Sequence, residues 1–154
     1  MPNFFTDNSD LVFHFNNLDY ERIVEIAEDN FEQAKEFNYA PVNYEDAMEN
    51  YRKVLEMTGD LTGNYIAPRA ADVDIEGAQY SDGKVDYAKG TQQNLKELTM
   101  ADLMGMVLPR KYGGLNFPLS IYMMATEMVA RADASLMNIF GLQDIAEMID
   151  KYGT

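Results

Sequence analysis

Cysteine is absent from the 154-residue sequence, and histidine occurs once, as His14. The absence of cysteine excludes disulfides, thiol catalysis and cysteine-ligated zinc sites. A Ser-His-Asp triad or a multi-histidine metal site would have to include His14, which stands between Phe13 and Phe15 with no histidine or glutamate partner at metal-binding spacing. We therefore interpret His14 as a packing residue rather than as a base or a metal ligand.

Basic residues are scarce, since 12 Lys and Arg stand against 26 Asp and Glu and the net charge is −14. Residues 1–50 hold twelve acidic and two basic residues, so most of this negative charge lies in the first third of the chain. Nucleic acids and anionic membranes are bound by clustered basic side chains, so we expect neither as a partner.

Long hydrophobic runs are also missing from the sequence. No stretch approaches the run of about 18 apolar residues that a membrane span requires. The N-terminus, MPNFFTDNSD, lacks the basic and apolar regions of a signal peptide. These features predict a soluble, cytoplasmic protein.

Apolar residues recur at spacings of three and four along much of the chain, which is typical of amphipathic helices. We predict an all-α helical bundle of about five to six helices, with one short hairpin or ordered loop near residues 78–87. Residues 1–42 are predicted to form an acidic N-terminal extension with one helix, which begins at Asp19 and ends before Pro41. Residues 43–154 are predicted to form a helical domain that makes a single compact unit with the extension.

Proline and glycine divide the second region into its elements. Pro68 predicts a kink or an end of the helix that begins after Asn43, because proline removes a backbone donor. The dipeptide Asp82-Gly83 predicts a tight turn. Further helices are predicted from Thr91 to the residue before Pro109, after Pro118, and from the ADAS segment at 132–135 through Tyr152.

The segment DVDIEG, residues 72–77, matches the start of a calcium-binding loop, with acids at loop positions 1, 3 and 5 and glycine at position 6. Loop position 12 requires a bidentate glutamate but is Gly83 here, and Asp82 is one residue early and shorter. We interpret DVDIEG as a helix end, with a calcium loop as the alternative, and predict no metal site. Glu127, Asp133 and other acidic residues could form a carboxylate-only metal cluster or an acid-base pair, but we favour ordinary solvated helix faces.

Methionine is abundant, with 11 residues in all, of which six fall between Met100 and Met128. Its flexible, polarizable side chain fills irregular cores and also lines surfaces that accept long apolar ligands. We favour the core role for these residues and keep an apolar binding surface as the alternative.

The stretch LPRKYGGLNFPLS, residues 108–120, combines two basic residues with a Gly-Gly pair and a proline. It has neither the GxxxxGK[ST] spacing of a phosphate loop nor the GxGxxG spacing of a dinucleotide loop. We predict a tight connection between helices, with Arg110 and Lys111 at its solvated edge.

Four motifs follow one another along the chain: NYIAPRAADVDIEG at residues 64–77, DLMGMVLPRKYGGLNFP at 102–118, TEMVARADASL at 126–136 and KYGT at 151–154. Taken in this order, they resemble the N-terminal helical domain of the acyl-CoA dehydrogenases. The segment with DNSDLVFHFNNLDYERIV, residues 7–24, resembles the N-terminal extension of a subgroup of larger family members, and residues 78–87 resemble an insertion of that subgroup.

The resemblance implies an FAD-dependent flavoprotein of fatty acid metabolism. Such an enzyme desaturates an acyl-CoA thioester between its α and β carbons and passes the electrons to an electron-transfer flavoprotein. The family's catalytic base and flavin contacts belong to a middle β-domain and a C-terminal helical domain that would follow KYGT, so no catalytic or cofactor-binding residue is assigned here.

We therefore expect this chain to be a truncated portion of the enzyme that is inactive by itself. Exposed docking surfaces predict a homo-oligomer that associates through the methionine-rich helices. The alternative is a free-standing helical interaction or ligand-binding module.

One family role is carried over to residues of this chain. The helix after ARADAS resembles a family helix that lines the acyl-chain pocket, and ordinary core or interdomain contacts are the equally weighted alternative. The candidate pocket residues are Met137, Asn138, Gly141, Leu142 and Ile145.

Overall fold

Helices account for most of the computed structural model, which describes residues 1–153. Thr154, which ends the KYGT motif and was predicted to suit a further helix cap, lies outside the described residues. The predicted all-α class with one short hairpin is confirmed. The α-helices are α1 (Ser9–Asn17), α2 (Glu21–Ala27), α3 (Tyr44–Leu61), α4 (Ala70–Glu76), α5 (Lys89–Met100), α6 (Leu119–Ala132), α7 (Ala134–Phe140) and α8 (Gln143–Tyr152).

The first 42 residues contain two α-helices where the sequence predicts one. Helix α1 begins at Ser9 because the Asn8 side chain accepts hydrogen bonds from two backbone N–H groups of the first turn. Helix α2 ends earlier than predicted, and the 3-10 segment that follows contains Asn30 and Phe31 with φ of 50° and 64°. These left-handed residues interrupt the helix geometry and divide the predicted helix.

One cluster of buried apolar side chains in the described part of the chain joins the first 42 residues to the rest. The rings of Phe5 and Phe15 meet edge to face with centroids 5.8 Å apart. In the same cluster, the ring of Tyr51 on α3 meets Phe117, ahead of α6, at 4.7 Å. The extension therefore contributes to the core, and the domain boundary at residue 42 stays a prediction.

Residues near the N-terminus lie directly on the backbone of α3. Phe4 N–H donates to Gly59 O at 3.0 Å, and Asn3 Nδ2 donates to Glu56 O at 2.9 Å. A Cβ at Gly59 would lie 2.1 Å from Asn3 Oδ1 and 2.6 Å from Phe5 N, so this approach requires glycine.

Between α3 and α4 the chain changes its helical geometry without leaving a helical path. Thr62–Ile66 form a π-helical turn and Ala67–Arg69 form a 3-10 turn. Pro68 lies at the start of the 3-10 turn, and its ring nitrogen offers no N–H for a helical hydrogen bond. The irregularity lies where the sequence predicts a kink or an end.

The hairpin consists of β1 (Gln79–Ser81) and β2 (Lys84–Asp86), paired antiparallel. Asp82 and Gly83 connect the strands with φ of 50° and 77°, as a two-residue turn with two left-handed residues requires. All residues of both strands are exposed.

The predicted final helix is divided into α7 and α8. This division is one reason why the structure has more α-helices than the five to six that the sequence predicts. Gly141 and Leu142 separate the two, and Gln143 at the start of α8 is buried. Gln143 Oε1 accepts from Met106 N–H at 2.8 Å and its Nε2 donates to Leu103 O at 3.0 Å. These bonds anchor the start of α8 on the segment after α5.

Candidate functional site

The calcium-like segment DVDIEG lies in a helix. Its residues up to Glu76 belong to α4, and Gly77 follows with a φ of 60°. Gly77 N–H donates to Val73 O at 2.9 Å, which closes the last turn in the manner expected of a glycine helix end. The interpretation of DVDIEG as a helix end is confirmed.

Residues 101–118 connect α5 to α6, and the segment 108–120 forms the later part of this connection and the start of α6. Phe117 N–H donates to Met106 O at 2.8 Å, which folds the segment back on the residues before it. A Cβ at Gly114 would lie 2.1 Å from Leu108 O, so the second glycine of the pair is required by close backbone packing.

The prediction that Arg110 lies at a solvated edge is wrong. Its side chain is 2% exposed, and its Nη1 lies 2.7 Å from Oε2 of Glu28, which is 1% exposed. Arg110 also donates to Gln33 Oε1 at 2.9 Å, and Tyr51 Oη donates to Glu28 Oε1 at 2.7 Å. Buried charges are tolerated when they are paired and hydrogen-bonded, so these four residues hold the connection inward. We call Glu28, Gln33, Tyr51 and Arg110 the Glu28 clasp.

Tyr51 is a hydrogen-bond donor in the clasp because its hydroxyl stays protonated. Burial raises the pKa of Tyr51 far above its ordinary value, and the negative charge of Glu28 raises it further. The clasp was not predicted, because its carboxylate and its guanidinium are 82 residues apart and no sequence motif links them.

Lys111, the second basic residue of the connection, is exposed as predicted. Its Nζ lies 2.9 Å from Asp150 Oδ1, and Tyr112 Oη donates to the same oxygen at 2.8 Å. The hydrogen bond from Lys111 is the main cause that lowers the pKa of the Asp150 carboxyl. Lys111 therefore ties the connection to α8.

The structure distributes the five candidate pocket residues over several surfaces. Asn138 borders a cleft of about 640 Å³ between α4, the residues that flank the hairpin and the α6–α7 corner. Met137 borders a separate groove of about 450 Å³ between α1 and α6. Gly141 follows α7, and Leu142 and Ile145 are each more than half exposed along α8. Residues 1–153 thus do not bring all five into one cavity, and their pocket role stays a prediction.

The two acidic residues considered for an acid-base pair, Glu127 and Asp133, make structural hydrogen bonds. Glu127 is exposed on α6, where its Oε1 accepts from Asn8 Nδ2 at 3.4 Å. Asp133 is buried and caps α7, since its Oδ1 accepts from the N–H groups of Ser135 at 2.9 Å and Leu136 at 3.1 Å. The favoured interpretation, that these acids are not a catalytic pair, agrees with these contacts.

The methionines divide between the core and the surface. Met106, Met124 and Met128 are buried, whereas Met100 and Met123 are more than half exposed. The core role is therefore confirmed for the first three only.

Across residues 1–153, no group of three or more His, Asp or Glu side chains is arranged to hold a metal ion. Of the helices described, none has the length and apolar character needed to cross a membrane.

The comparison with known families matches residues 48–154 to the profile described as "Acyl-CoA dehydrogenase, N-terminal domain". The chain belongs to the acyl-CoA dehydrogenase family. The resemblance carried by the four ordered motifs is therefore confirmed. The match includes Arg110 and Tyr51 of the clasp, whereas Glu28 precedes it.

One relative of this chain is a 3-methylmercaptopropionyl-CoA dehydrogenase from Ruegeria pomeroyi. It is 31% identical to this chain over 104 residues, which are 68% of this chain and 16% of the relative. The matched part of the chain thus spans about one sixth of the length of this relative.

The connection 108–120 combines two basic residues with a Gly-Gly pair, but it does not fit a phosphate group of a flavin cofactor. Arg110 is paired with Glu28 and Lys111 with Asp150, so both cations face carboxylates. Gly114 packs against a backbone carbonyl rather than opening a cradle for phosphate.

Proposed function

We propose that this chain is the N-terminal portion of an FAD-dependent acyl-CoA dehydrogenase. The parent enzyme desaturates an acyl-CoA thioester between the α and β carbons and passes the electrons to an electron-transfer flavoprotein. The observation that carries the proposal is the match of residues 48–154 to the family's N-terminal domain, with the motifs in family order. The proposed parent is a cytoplasmic homo-oligomer of fatty acid metabolism.

In this proposal the chain itself is inactive, because the base and the flavin contacts belong to other parts of the parent. A carboxylate base that removes the α proton needs a dry site that raises its pKa. A flavin held by those other parts would supply the hydride-accepting chemistry. The role left to this chain is to position the acyl group and to exclude water.

The inactivity of the chain can be tested with the purified 154-residue protein. We expect no retention of FAD after gel filtration and no acyl-CoA-dependent dye reduction for short, medium or long acyl chains. A flavin spectrum at one equivalent per chain, together with turnover, would show that the site assignment is wrong. Dye reduction by an established acyl-CoA dehydrogenase under the same conditions is the positive control.

We also propose that Met137, Asn138, Gly141, Leu142 and Ile145 form part of the acyl-pocket wall in the parent. The exposure of Leu142 and Ile145 supports this, because both apolar side chains are open to contact from outside residues 1–153. In the full-length gene product, Ile145→Phe is expected to lower kcat/KM most for the longest accepted acyl chain. Ile75→Phe on the exposed side of α4 is the matched control, and equal kcat/KM ratios for all acyl chains in both variants would contradict the assignment.

The alternative is a free-standing helical interaction or ligand-binding module. The exposed apolar side of α8 favours it, because such a surface suits a binding partner. Intact-mass measurement of the native gene product distinguishes the two: the enzyme proposal requires a product much longer than 154 residues, and the alternative requires one that ends at Thr154.

A further inference from the structure

The chain between α2 and α3 begins with an unusual backbone turn. Asp29, Asn30 and Phe31 have φ of 49°, 50° and 64°, so three successive non-glycine residues are left-handed. We call these three residues the left-handed turn. This conformation is costly for L-residues and is an outlier for a bulky residue such as phenylalanine. It persists only where the surrounding structure holds it, so other parts of the molecule must stabilise the left-handed turn.

The sequence of the same segment favours a right-handed helix. Phe31, Ala34 and Phe37 continue the apolar spacing of α2, and this spacing underlies the prediction of one helix from Asp19 to the residues before Pro41. In the structure, no residue of Asp29–Lys35 is buried, and Phe31 packs only partly against the core. Burial of the segment's own side chains therefore does not account for the left-handed turn.

The Glu28 clasp contacts the segment on both sides of the left-handed turn. Glu28 directly precedes the turn, and its Oε2 lies 2.7 Å from Arg110 Nη1. Gln33 follows the turn by two residues, and its Oε1 accepts from the same nitrogen at 2.9 Å. Residues five apart in an α-helix lie about 140° apart around the helix axis. A continuous helix would therefore turn Glu28 and Gln33 to different sides, so that they could not share one guanidinium nitrogen.

Asn116 occupies a hydrogen-bond acceptor that a continuous helix would use itself. In an α-helix the carbonyl of Ala27 accepts from the N–H of the residue four positions later, which is Phe31. Here Ala27 O accepts from Asn116 Nδ2 at 2.6 Å, and Phe31 N–H donates to Glu28 O at 2.8 Å instead. The connection before α6 thus takes the place of the hydrogen bond through which α2 would continue.

We propose that residues 29–37 have two conformations, the left-handed turn of this structure and a right-handed continuation of α2, and that Arg110 and Asn116 select the first. When these contacts open, the segment winds into a helix that ends before Pro41, since the residue preceding a proline avoids the helical region. The segment is then a two-state element, and its contacts with the connection set the equilibrium. Winding also releases the extension from the connection, because Arg110 binds Glu28 and Gln33 together only when the turn is left-handed.

The proposal goes beyond the proposed enzyme activity. It concerns conformations of the 154-residue chain and is tested without substrate or flavin.

A double variant, Glu28→Leu with Arg110→Met, removes the ion pair from the 154-residue chain without leaving a buried charge. Replacement of a buried ion pair by apolar residues of similar size is often neutral for stability, so the variant should stay folded. In NMR spectra, a strong intraresidue Overhauser effect between amide and α protons marks each left-handed residue. We expect this signal to disappear at residues 29–31, and the amides of residues 32–37 to exchange with solvent at least about tenfold more slowly, as in a helix.

The matched control is Glu97→Leu with Arg69→Met, which removes an arginine–glutamate pair that includes no residue of α2 or of residues 29–37. It should leave the proton signals and exchange rates of residues 29–37 unchanged. Phe31→Gly added to the first double variant should restore the left-handed signals, because glycine adopts positive φ readily and weakens a helix interior.

A second double variant, Asn116→Gly with Gln33→Leu, tests the proposal with the buried ion pair kept. Asn116 has a φ of 58°, which glycine adopts without strain, so the substitution frees Ala27 O and keeps the backbone of the connection. Chemical exchange saturation transfer should then detect a helical minor state of residues 29–37 above about 1%. Asp102→Gly, at a φ of 57° in the same connection, is the matched control and should show no such state at that level.

Three results would overturn the proposal. Left-handed signals that persist without Glu28 and Arg110 show that the ion pair does not hold the turn. Fast exchange throughout residues 29–37 in that variant shows that the released segment is disordered rather than helical. A second double variant without a helical minor state shows that the connection does not oppose the continuation of α2.

Discussion

Glu28 is the residue whose replacement tests the buried clasp most directly. In Glu28→Gln the guanidinium of Arg110 stays buried but loses the carboxylate 2.7 Å away. Removal of one partner from a buried ion pair costs about 3–5 kcal/mol because the other charge is left uncompensated. We therefore expect the free energy of unfolding to fall by about this amount in urea denaturation.

The exposed pair of Glu32 and Lys35 provides the control for that measurement. Both side chains are more than half exposed, and such pairs contribute about 0–1 kcal/mol. Glu32→Gln should therefore change the free energy of unfolding little. If both variants lose the same free energy of unfolding, burial of the Glu28–Arg110 pair does not make it more stabilising than an exposed pair.

Glu97 gives a pH-dependent test at the same scale. Arg69 Nη1 and Nη2 lie 2.8 Å and 3.0 Å from its two carboxylate oxygens, and this hydrogen bonding is the main cause that lowers the Glu97 pKa from its usual 4.5. Because the folded pKa is depressed, the stabilisation is present above about pH 4.5 and is lost as the pH falls through the folded value.

Glu97→Gln should accordingly lower the free energy of unfolding by about 1 kcal/mol at pH 7. The difference from the unmodified chain should disappear in urea titrations below the folded pKa, where the carboxyl is protonated in both states. Glu49→Gln, at an exposed pair with Lys53, is the control. A difference that is constant from pH 7 to pH 3 would contradict the assigned ion pair.

Single residues could be predicted from sequence where their effect is local. Asn43 accepts from Asp46 N–H as a helix cap, and Asp82-Gly83 forms the predicted turn, because both depend only on adjacent backbone. Arg110 could not be predicted correctly, since its burial depends on Glu28, which lies far away in sequence. A single sequence therefore predicts contacts between neighbouring residues, but it does not predict an ion pair between residues that are far apart in the sequence.

At the scale of elements, the contact between the N-terminal residues and α3 depends on Gly59. In Gly59→Ala the new methyl carbon would lie 2.1 Å from Asn3 Oδ1 and 2.6 Å from Phe5 N, so the N-terminal residues must move away. Overpacking of this kind costs about 1–3 kcal/mol. We expect faster hydrogen exchange at the Phe4 amide, which donates to Gly59 O.

Gly105→Ala is the matched control for the contact on α3. A Cβ at Gly105 would lie 3.5 Å from its nearest neighbour, which is ordinary contact. If both variants leave exchange at Phe4 unchanged, the N-terminal residues do not rest on Gly59 as described.

Helix prediction worked for elements whose apolar side faces the core. Helix α3 buries Tyr51 and Leu55 at the predicted spacing, and α6 buries Ile121 and Met128. In α8 the same periodicity marks the exposed side, because the inner side is fixed by polar contacts to other segments. Periodicity therefore identifies a helix without deciding which side the fold covers.

At the scale of the whole molecule, the order of several motifs was more informative than any one of them. The Gly-Gly connection alone resembled a helix bend, and DVDIEG alone resembled a calcium loop, but their order matched the family over residues 48–154. The pocket residues could not be tested in the same way, because Asn138, Met137 and Ile145 face different surfaces of residues 1–153.

Removal of residues 1–42 tests whether the family domain depends on the extension. The extension places five large apolar side chains in the core, each at most 3% exposed, and burial of each contributes about 1.5–3 kcal/mol. The sum rivals the total stability of about 5–15 kcal/mol for a whole domain, and truncation also leaves Arg110 without Glu28. We therefore expect residues 43–154 alone to lose cooperative thermal unfolding and near-ultraviolet circular dichroism. A truncated chain that unfolds cooperatively, with a midpoint temperature close to that of the full chain, would show that the extension is dispensable. The five side chains are Phe5, Leu11, Phe15, Tyr20 and Val24.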